Sequence, residues 1–468
     1  MVQPLIPIRG DDIKMQILSV SDIIEATSGA LVCGEKGLEI NDITTDSRKS
    51  AAGVLFIPLK GEKADGHDFI LSALNAGAVT LSERDDEYDK GTVIRVKNTR
   101  KALGDIARFY KIKYPVKSVA ITGSVGKTTT KDLVYSVIAQ GYKTHKTPNN
   151  FNNDIGVPLT IFGMEKGTEA AVIEMGMNHF GEISYLSDIA RPDCAIISNI
   201  GMSHIENLGS QEGIFRAKME MAERFTDKNT LFVNGDDKFL SNIGDTPYKV
   251  VRFGMSQTND IYAKDIVNNG LLGTEFTVVY TGGEFRCEVR QPGEHNIYNA
   301  LAAVCAGLHF GLTQEQISAG LRDCVYTSSR LEITEHNGME IINDCYNSSP
   351  DSVRAALKVM KHTVKTRRVA ILGDILEMGT YAKDAHFELG KSVKELGIDL
   401  LVTAGENAKY IAEGAKSAGL DSVISFDTTE ELKYAVGDIV KSGDCILVKA
   451  SHGMKFYKIA DEINTLKL

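Results

Sequence analysis

A chain of 468 residues, 43% of them hydrophobic and 24% charged, can bury several separate cores, and its length predicts about three domains. The net charge of −10 argues against a general nucleic-acid binder. No run approaches the roughly 18 apolar residues that a membrane-spanning helix needs, so we expect a soluble protein with no membrane insertion.

Cysteine use and the amino terminus indicate the compartment. The seven cysteines include no C-x-x-C pair, and several lie inside apolar runs. This pattern favours buried thiols in a reducing compartment over a disulfide framework or a zinc site. The first residues, MVQPLIPIRGDD, lack the basic start and long apolar core of a signal peptide. We therefore expect a cytoplasmic protein.

Residues 1–113 are predicted to form a small α/β unit. Strand-like runs at 54–59 and 78–81 alternate with a helix over Phe69 to Asn75. Two polar loops, Asp46 to Arg48 and Lys60 to His67, contain groups that can bind a phosphate or a sugar, although solvated loops are an equal alternative. Pro115 indicates a junction to a second domain.

The second unit begins with the clearest motif of the chain. A short apolar strand, Ser118 to Ile121, is followed by the turn 122–127 and by apolar residues at helical spacing. Glycines in such a turn let backbone N–H groups surround phosphate oxygens, and the helix N-terminus adds partial positive charge. Lys127 would supply a full charge, and Thr128 would place a hydroxyl on a phosphate-bridging Mg²⁺.

This loop departs from the common pattern G-x-x-x-x-G-K-[ST]. That pattern requires glycine where this chain has Ile121, so the loop is the shortened form G-S-V-G-K-T. The alternative, a glycine turn with a surface lysine, does not explain why strand, glycines, lysine, threonine and helix follow in the required order. The candidate nucleotide-binding residues are Gly123, Ser124, Val125, Gly126, Lys127, Thr128 and Thr129.

Further candidates follow along the second unit, which we expect to extend over residues 114–327. The segment Thr147 to Ile161 is rich in Asn and Gly and is predicted to be an ordered loop whose amides bind a sugar or a peptide, or a simple cluster of turns. Two apolar strands precede Glu174 and His204. Because ligands gather at the carboxyl ends of parallel strands, these side chains are expected to meet near Thr128.

Mg²⁺ prefers oxygen ligands, so the residue chemistry alone favours an indirect role for His204. Lys218 lies in a predicted helix, Glu212 to Phe225, whose apolar face contains Phe215, Met219 and Ala222, and its ordinary interpretation is a solvated lysine.

The end of the second unit is predicted to be a β-rich sheet edge, residues 250–289, followed by a helix. Asn296 and Asn299 lie at the start of that helix, where their amides can cap it or recognise a base edge.

Residues 328–468 are predicted to form a third unit, a parallel sheet with flanking helices. Arg330 stands at its opening, a strand ends at Asp344, and the segment YNSSPDS leads into a helix. The unit resembles a dinucleotide-binding, Rossmann-like fold, although its segment GDILEMG, residues 373–379, lacks the G-x-G-x-x-G spacing.

Taken together, these motifs resemble the Mur ligase family, ATP-dependent enzymes that add amino acids or a dipeptide to the peptidoglycan precursor. The resemblance rests on a co-linear set that spans most of the chain: TGSVGKTT, EMGMNH, NIGMSH, RAKME, GEHNIYNALAA, SRLE, DCYNSSPDS and KASHGM. It implies an α/β protein of three domains: a small N-terminal substrate domain, a central parallel-sheet ATPase domain with a P-loop, and a C-terminal Rossmann-like domain.

Within the family, three segments, TPNNFNNDIGVP, DCYNSSPDS and GDILEMG, resemble the branch that joins D-alanyl-D-alanine to UDP-N-acetylmuramoyl-tripeptide. The DNPR-type signature of the diaminopimelate-adding branch is absent. The implied reaction is attack of the tripeptide carboxylate on the γ-phosphate of ATP, followed by attack of the dipeptide amine on the acyl phosphate.

The resemblance assigns roles to individual residues. Lys127, Glu174, His204 and Lys218 would be catalytic; Thr128, Glu174, His204 and Lys218 would hold two Mg²⁺ ions, with Lys218 carbamylated. Asn296, Asn299, Arg330 and Asp344 would bind ATP; Ser47 and Arg48 would bind UDP; Asn150, Asn153, Asn347 and Lys449 would contact the remaining substrates. Ala450 and His452 replace Gly and Arg of the family's KGSR motif, and Ser329 replaces Gly of its GRLE motif.

Two alternatives remain at this point. A folyl-polyglutamate or cyanophycin-type ligase would share the chemistry but would not need the DSR loop of the first unit. A non-catalytic nucleotide switch would need neither a third domain nor a second acidic metal position. We expect a monomer.

Overall fold

The computed structural model describes residues 15–327, 330–361, 363 and 365–466. Ser329 and the amino-terminal segment on which the signal-peptide expectation rests lie outside the described residues.

The first part of the described chain forms a five-stranded sheet in the order β2-β7-β6-β5-β4, beside a two-stranded ribbon of β1 and β3. Strands β4 to β7 are parallel, and β2 joins β7 in antiparallel fashion. This confirms the expected small α/β unit. Its elements are β1 Leu18–Ser19, α1 Val20–Thr27, β2 Ala30–Cys33, β3 Glu39–Ile40, β4 Asp42–Thr44, β5 Val54–Phe56, α2 Ile70–Asn75, β6 Val79–Ser82, β7 Thr92–Arg95 and α3 Thr99–Lys113.

The second part forms a nine-stranded sheet in the order β16-β15-β14-β13-β12-β11-β8-β10-β9. The seven strands β8 to β14 run parallel. The antiparallel strands β15 and β16 form the predicted β-rich edge. The elements are β8 Lys117–Thr122, α4 Lys127–Ile138, β9 Thr144–Lys146, α5 Gly156–Phe162, β10 Ala170–Glu174, α6 Glu182–Ala190, β11 Cys194–Ile197, α7 Ile205–Leu208, α8 Gln211–Met219, β12 Thr230–Asn234, β13 Lys249–Gly254, β14 Ile261–Asn268, β15 Thr274–Tyr280, β16 Gly283–Val289, α9 His295–His309 and α10 Gln314–Arg322.

The third part forms a six-stranded sheet in the order β17-β18-β22-β19-β20-β21, parallel except for β17. Helices alternate with its strands, as predicted. The elements are β17 Glu332–His336, β18 Met339–Asn343, α11 Pro350–Met360, β19 Arg367–Gly373, α12 Ala382–Glu395, β20 Leu400–Ala404, α13 Ala408–Ser417, β21 Val423–Phe426, α14 Thr429–Ile439, β22 Asp444–Lys449 and α15 Tyr457–Ile463.

Alternation along the central strand shows how the middle sheet is buried on both faces. Val119 and Ile121 of β8 belong to one apolar cluster, and Ala120 between them belongs to another. Because both faces are covered, the strand reads as a continuous apolar run. The carboxyl end of β8 lies between the carboxyl ends of its two parallel neighbours, β10 and β11.

One expectation about local structure is wrong. The segment 147–161 is not a loop throughout, because α5 begins at Gly156. The Asn153 side-chain oxygen accepts hydrogen bonds from the backbone N–H groups of Ile155 and Gly156 at 3.2 and 2.8 Å, which satisfies donors at the start of the helix.

None of the described helices has both the length and the apolar character needed to cross a bilayer.

Candidate active site

The phosphate loop has the geometry that its glycines predict. Strand β8 ends at Thr122 and α4 begins at Lys127, with Gly126 at φ +85° between them. A Cβ atom on Gly126 would lie 2.7 Å from Asn299 Oδ1, and one on Gly123 would lie 1.9 Å from Ser198 Oγ. Only glycine fits at either position, so the neighbouring side chains enforce the close turn.

Side chains at the end of β11 hold the loop from outside. Asn199 accepts a hydrogen bond from Val125 N at 2.9 Å and donates one from Nδ2 to Val125 O at 2.9 Å. Ser198 Oγ donates to the same carbonyl at 2.8 Å. The amides of the first turn of α4 are left to face an anion, because a helix has no internal partners for them.

Lys127 and Glu174 face each other across this loop. Lys127 Nζ donates a 2.8 Å hydrogen bond to Gly123 O, and its burial lowers its pKa despite the nearby Glu174 carboxylate. Glu174 Oε1 accepts from Asn152 Nδ2 at 2.9 Å, whereas Oε2 is buried without a hydrogen-bond partner. An unpartnered buried carboxylate oxygen beside a lysine is a place where a cation or a charged ligand satisfies the site.

The donor set fits Mg²⁺ better than a softer metal. The Glu174 carboxylate and the Thr128 hydroxyl lie on the same cavity, and oxygen atoms of this kind are what Mg²⁺ selects while it keeps waters and phosphate oxygens as its other ligands. Within the described residues, no group of three or more His, Cys, Asp and Glu side chains can hold a metal on its own. The cavity therefore suits an ion that arrives with phosphates.

Lys218 is not the solvated lysine that its helix pattern suggests. It is 1% exposed, and the buried face of its helix consists of Ile214, Ala217 and Lys218 rather than the expected Phe215 and Met219, which are only partly buried. Burial, with Lys127 nearby, lowers the pKa of Lys218 far below its usual range. Lys218 is not among the residues that line the cavity.

The two asparagines at the start of α9 have different positions. Asn296 lines the cavity and donates to Pro292 O at 2.8 Å. Asn299 does not line the cavity. Its Nδ2 donates a hydrogen bond to Asn296 Oδ1, and its Oδ1 accepts one from Thr130 Oγ1. Asn299 therefore supports the phosphate loop from behind.

The third sheet closes the opposite wall. Lys449 Nζ donates to Asp344 Oδ2 at 2.6 Å and to Asn347 O at 2.8 Å, so the end of β22 holds the segment after β18. The Arg330 guanidinium stacks over the Tyr346 ring at 4.1 Å, and its Nε is buried without a hydrogen-bond partner.

The two positions that depart from the KGSR motif differ, because His452 lines the cavity whereas Ala450 is fully buried.

Ser47 and Arg48 lie away from this cavity. They begin a short 3₁₀ turn in the first sheet, and Arg48 donates two hydrogen bonds of 2.8 Å to the Asp46 carboxylate. The Arg48 side chain is 86% exposed, so it is accessible to a ligand.

Most of the other candidates meet in one cavity of about 470 Å³ between the second and third sheets. Its candidate lining residues are Ser124, Val125, Gly126, Lys127, Thr128, Thr129, Asn150, Asn153, Glu174, His204, Asn296, Arg330, Asp344, Asn347 and Lys449. Asn152 and Glu377 also build the site, although the motifs assigned them no role, and Asn199, which the sequence offers beside His204 as a candidate ligand after β11, instead holds the phosphate loop at Val125. The cluster of asparagines at 149–153 was the only signal for Asn152.

The chain is similar in sequence to known protein families and to individual known proteins. Three family models match the chain: "Mur ligase family, catalytic domain" over residues 39–111, "Mur ligase middle domain" over 121–307, and "Mur ligase, glutamate ligase domain" over 329–452. The UDP-N-acetylmuramoyl-tripeptide-D-alanyl-D-alanine ligase of Bacillus subtilis (strain 168) is 38% identical over 95% of this chain and 98% of its own.

Solved structures give the same result at the level of the fold. A crystal structure of MurF from Acinetobacter baumannii superposes with a TM-score of 0.90 at 30% identity, covering 97% of this chain and all of its own. MurF ligase from Thermotoga maritima, in complex with ADP, has a TM-score of 0.81 at 26% identity and covers 90% of this chain and 97% of its own. The similarity thus includes all three sheets.

Proposed function

The chain belongs to the Mur ligase family, and we propose that it joins D-alanyl-D-alanine to UDP-N-acetylmuramoyl-tripeptide in an ATP-dependent reaction that releases ADP and phosphate. The observation that supports this most strongly is similarity to ligases of this name over nearly the full chain, together with a cavity in which a phosphate loop faces a third α/β unit. The product would be the pentapeptide precursor of peptidoglycan.

The proposed domains are 1–113 for the UDP-sugar, 114–327 for ATP and 328–468 for closing the site. In this assignment Ser47 and Arg48 bind UDP, and Asn150, Asn153, Asn347 and Lys449 contact the peptide substrates. Asn296, Arg330 and Asp344 contact the nucleotide from the cavity wall, whereas Asn299 acts by supporting the loop. We further propose a cytoplasmic monomer that binds no nucleic acid.

Thr128, Glu174 and His204 are the residues proposed to hold Mg²⁺ with the nucleotide phosphates. When bound, the ion supplies positive charge that offsets the repulsion between the phosphates and the attacking carboxylate. Lys218 is proposed to carry a carbamate. Burial lowers the pKa of Lys218 and so favours the unprotonated amine that reacts with CO₂, and the resulting anion would provide for a second Mg²⁺.

The charges of the chain's own residues account for the sequence of steps. The first turn of α4 and Lys127 bind the triphosphate and stabilise the transferring phosphoryl group as the tripeptide carboxylate attacks. The dipeptide amine then attacks the acyl carbon, and phosphate leaves. Since an acyl phosphate hydrolyses in water, the third unit is proposed to exclude solvent by covering the phosphate loop.

Phosphate release tests this function. The purified protein should release phosphate from ATP only when UDP-N-acetylmuramoyl-tripeptide and D-alanyl-D-alanine are both present. Release with glutamate and a folate instead would contradict the assignment and favour a folyl-polyglutamate ligase. Binding of ATP without any turnover, whichever substrates are added, would favour a nucleotide switch.

Lys127→Ala is the matched loss-of-function variant. It should reduce turnover by roughly 10²–10³-fold or more, the usual scale for removing a preorganised charge from a transition state. Its melting temperature should stay near that of the wild type, because within the described part of the chain the Lys127 side chain makes a single hydrogen bond, to Gly123 O. Retained turnover would remove the phosphate loop from the mechanism.

A further inference from the structure

A single contact links the third unit directly to a candidate residue of the central site. Glu377 lies in the segment after β19, and its Oε2 is 2.7 Å from His204 Nδ1. The ring is not turned to aim Nδ1–H at this oxygen, and Nδ1 has no other acceptor among the described residues. His204 is 17% exposed and Glu377 53% exposed, so the pair lies at the rim where the two units meet.

The backbone at both ends of this contact is unusual. His204 has φ +65° and Glu377 has φ +61°, in the left-handed region that residues other than glycine seldom adopt. Such conformations cost roughly 1–3 kcal/mol each and persist where the surrounding structure imposes them. Here the two side chains meet across the boundary between the second and third units.

The segment that presents Glu377 is held from three directions. Ile375 N donates to His386 Nε2 at 3.0 Å, and Leu376 N donates to Ser451 Oγ at 2.9 Å. Asp374 Oδ1 accepts from the backbone N–H groups of Asn407 and Ala408 at 3.0 and 2.7 Å. The carboxylate of Glu377 therefore moves with the third unit as one rigid part.

The same segment also docks on the central unit. Tyr381 Oη donates to Gly209 O at 3.1 Å, and Gly379 packs so closely on Glu206 that a Cβ atom would lie 3.0 Å from its Cγ. Both contacts flank α7, the helix that follows His204 directly. Docking of the third unit thus brings Glu377 to His204 in a fixed register.

We propose that Glu377 is a positioning residue for the ligase reaction: docking of the third unit brings its carboxylate to 2.7 Å from His204 Nδ1, where rotation of the ring makes Nδ1–H its hydrogen-bond donor and fixes Nδ1 as the protonated nitrogen. This inference rests on the proposed function. Histidines that bind through one nitrogen are commonly oriented by a carboxylate on the other, and losing that partner typically costs 10–100-fold. Glu377 would make the active state of His204 depend on domain docking.

Kinetics of single and double variants test this role. Glu377→Ala should lower kcat by about 10–100-fold while the three substrate KM values change by less than about threefold. In a His204→Ala background the same substitution should cost nothing further, because its effect passes through the ring. An equal loss in both backgrounds, or a rise in KM alone, would overturn the proposal.

Two control variants separate positioning from simple adhesion. Tyr381→Phe removes another bond of the same docking segment without touching His204, and it should leave kcat near that of the wild type. Glu388→Gln changes an exposed carboxylate on α12 that pairs with Lys391, and it should also be neutral. A Tyr381→Phe variant that matched the loss of Glu377→Ala would show that Glu377 acts only as a docking contact.

Nitrogen NMR of ¹⁵N-histidine-labelled protein gives a readout that does not depend on turnover. The His204 signals, identified by their loss in His204→Ala, should show protonated Nδ1 in the wild type and a shift towards protonated Nε2 in Glu377→Ala. No change in tautomer would overturn the inference even if the ligase activity is confirmed. A wild type that is inactive with all three substrates would instead contradict the proposed function, and this measurement would still decide the role of Glu377.

Discussion

Four lysines are buried in the described part of the chain, and Lys218 differs from the other three. Lys111 donates to Val116 O, Lys131 pairs with Asp132, and Lys449 pairs with Asp344. The Lys218 amine makes no hydrogen bond or ion pair with another described residue. Burial lowers the pKa of Lys218 far below its usual range. Burial thus favours the unprotonated amine, which is the form that reacts with CO₂ to give a carbamate.

Lys218→Met should therefore abolish most of the activity, because it keeps the side-chain volume and removes the amine. We expect a loss of at least about 100-fold, the scale set by removing a group that holds transition-state charge. Wild-type protein equilibrated with ¹³C-bicarbonate should show a carbamate carbon signal that the variant lacks. The smaller Lys218→Ala variant should recover part of its activity with short-chain carboxylates, and an absence of rescue would count against the carbamate.

The burial of Lys218 also shows what the sequence pattern cannot reveal at this scale. Apolar spacing pointed to Phe215, Met219 and Ala222 as the inner face, yet of these three only Ala222 is buried, in the 3₁₀ turn that follows the helix. A charged residue on a buried face gives no signal in a hydrophobic pattern. By contrast, Lys127 was predictable because its role depends on glycines and a helix start that are adjacent in the sequence.

At the scale of elements, Asp132 connects the phosphate-loop helix to the segment that leads into the third unit. Its carboxylate accepts two hydrogen bonds of 2.8 Å, from Thr327 N and Thr327 Oγ1. It also pairs with Lys146 at 2.6 Å and Lys131 at 3.3 Å, and it is 1% exposed. Thr327 is thus fixed to α4 immediately before the chain crosses between domains.

Asp132→Ala should destabilise the central unit, since it leaves two cations and a backbone N–H group without their shared acceptor. Breaking a buried ion pair from one side typically costs about 3–5 kcal/mol. We expect a clear fall in the first thermal transition, measured by calorimetry, with Asp132→Asn in between because it can still accept from Thr327. Glu388→Ala on the exposed face of α12 is the control, and equal melting temperatures for all variants would refute this account.

Element boundaries were predictable where turn chemistry was local, and they were missed where it was not. The alternation of strand and glycine gave the order of elements in the third unit, from β18 to β22. Helix α5 was missed because Gly156 and Pro158 within its first turn suggest a loop, although proline is tolerated there. Its start depends on the Asn153 amide, which the sequence alone could equally assign to substrate binding.

At the scale of the whole molecule, three α/β units in sequence order could be predicted, but their mutual contacts could not. The contact between His204 and Glu377 joins loop residues of two different units, and neither residue has a neighbour in the sequence that indicates the other. Packing of one unit on another leaves no periodic signal in the chain. Motifs therefore predicted the cavity residues, including Arg330, Asp344 and Lys449 of its closing wall, whereas the contact between His204 and Glu377 emerged only from the structure.

A property of the whole molecule follows from its enclosed histidines. Burial lowers the pKa of His295 to about 4, and it also lowers the pKa values of His145, His309 and His386. Each is therefore held neutral in the folded protein below the pH at which an unfolded histidine, with a pKa near 6.5, takes up a proton. Between these values the unfolded chain binds more protons, so the free energy of unfolding must fall as the pH falls.

We expect the melting temperature to decline from pH 6.5 towards pH 5, above the range in which Asp46 and Asp65, with pKa values of about 2, become protonated. For His295 the difference between about 4 and 6.5 corresponds to about 3 kcal/mol at most, because part of its side chain reaches the cavity. His295→Gln cannot titrate and should flatten the decline, whereas His179→Gln, at a histidine that is 65% exposed, should leave it unchanged. Stability that rose on acidification, or the same slope in His295→Gln, would show that these histidines are not held neutral by the fold.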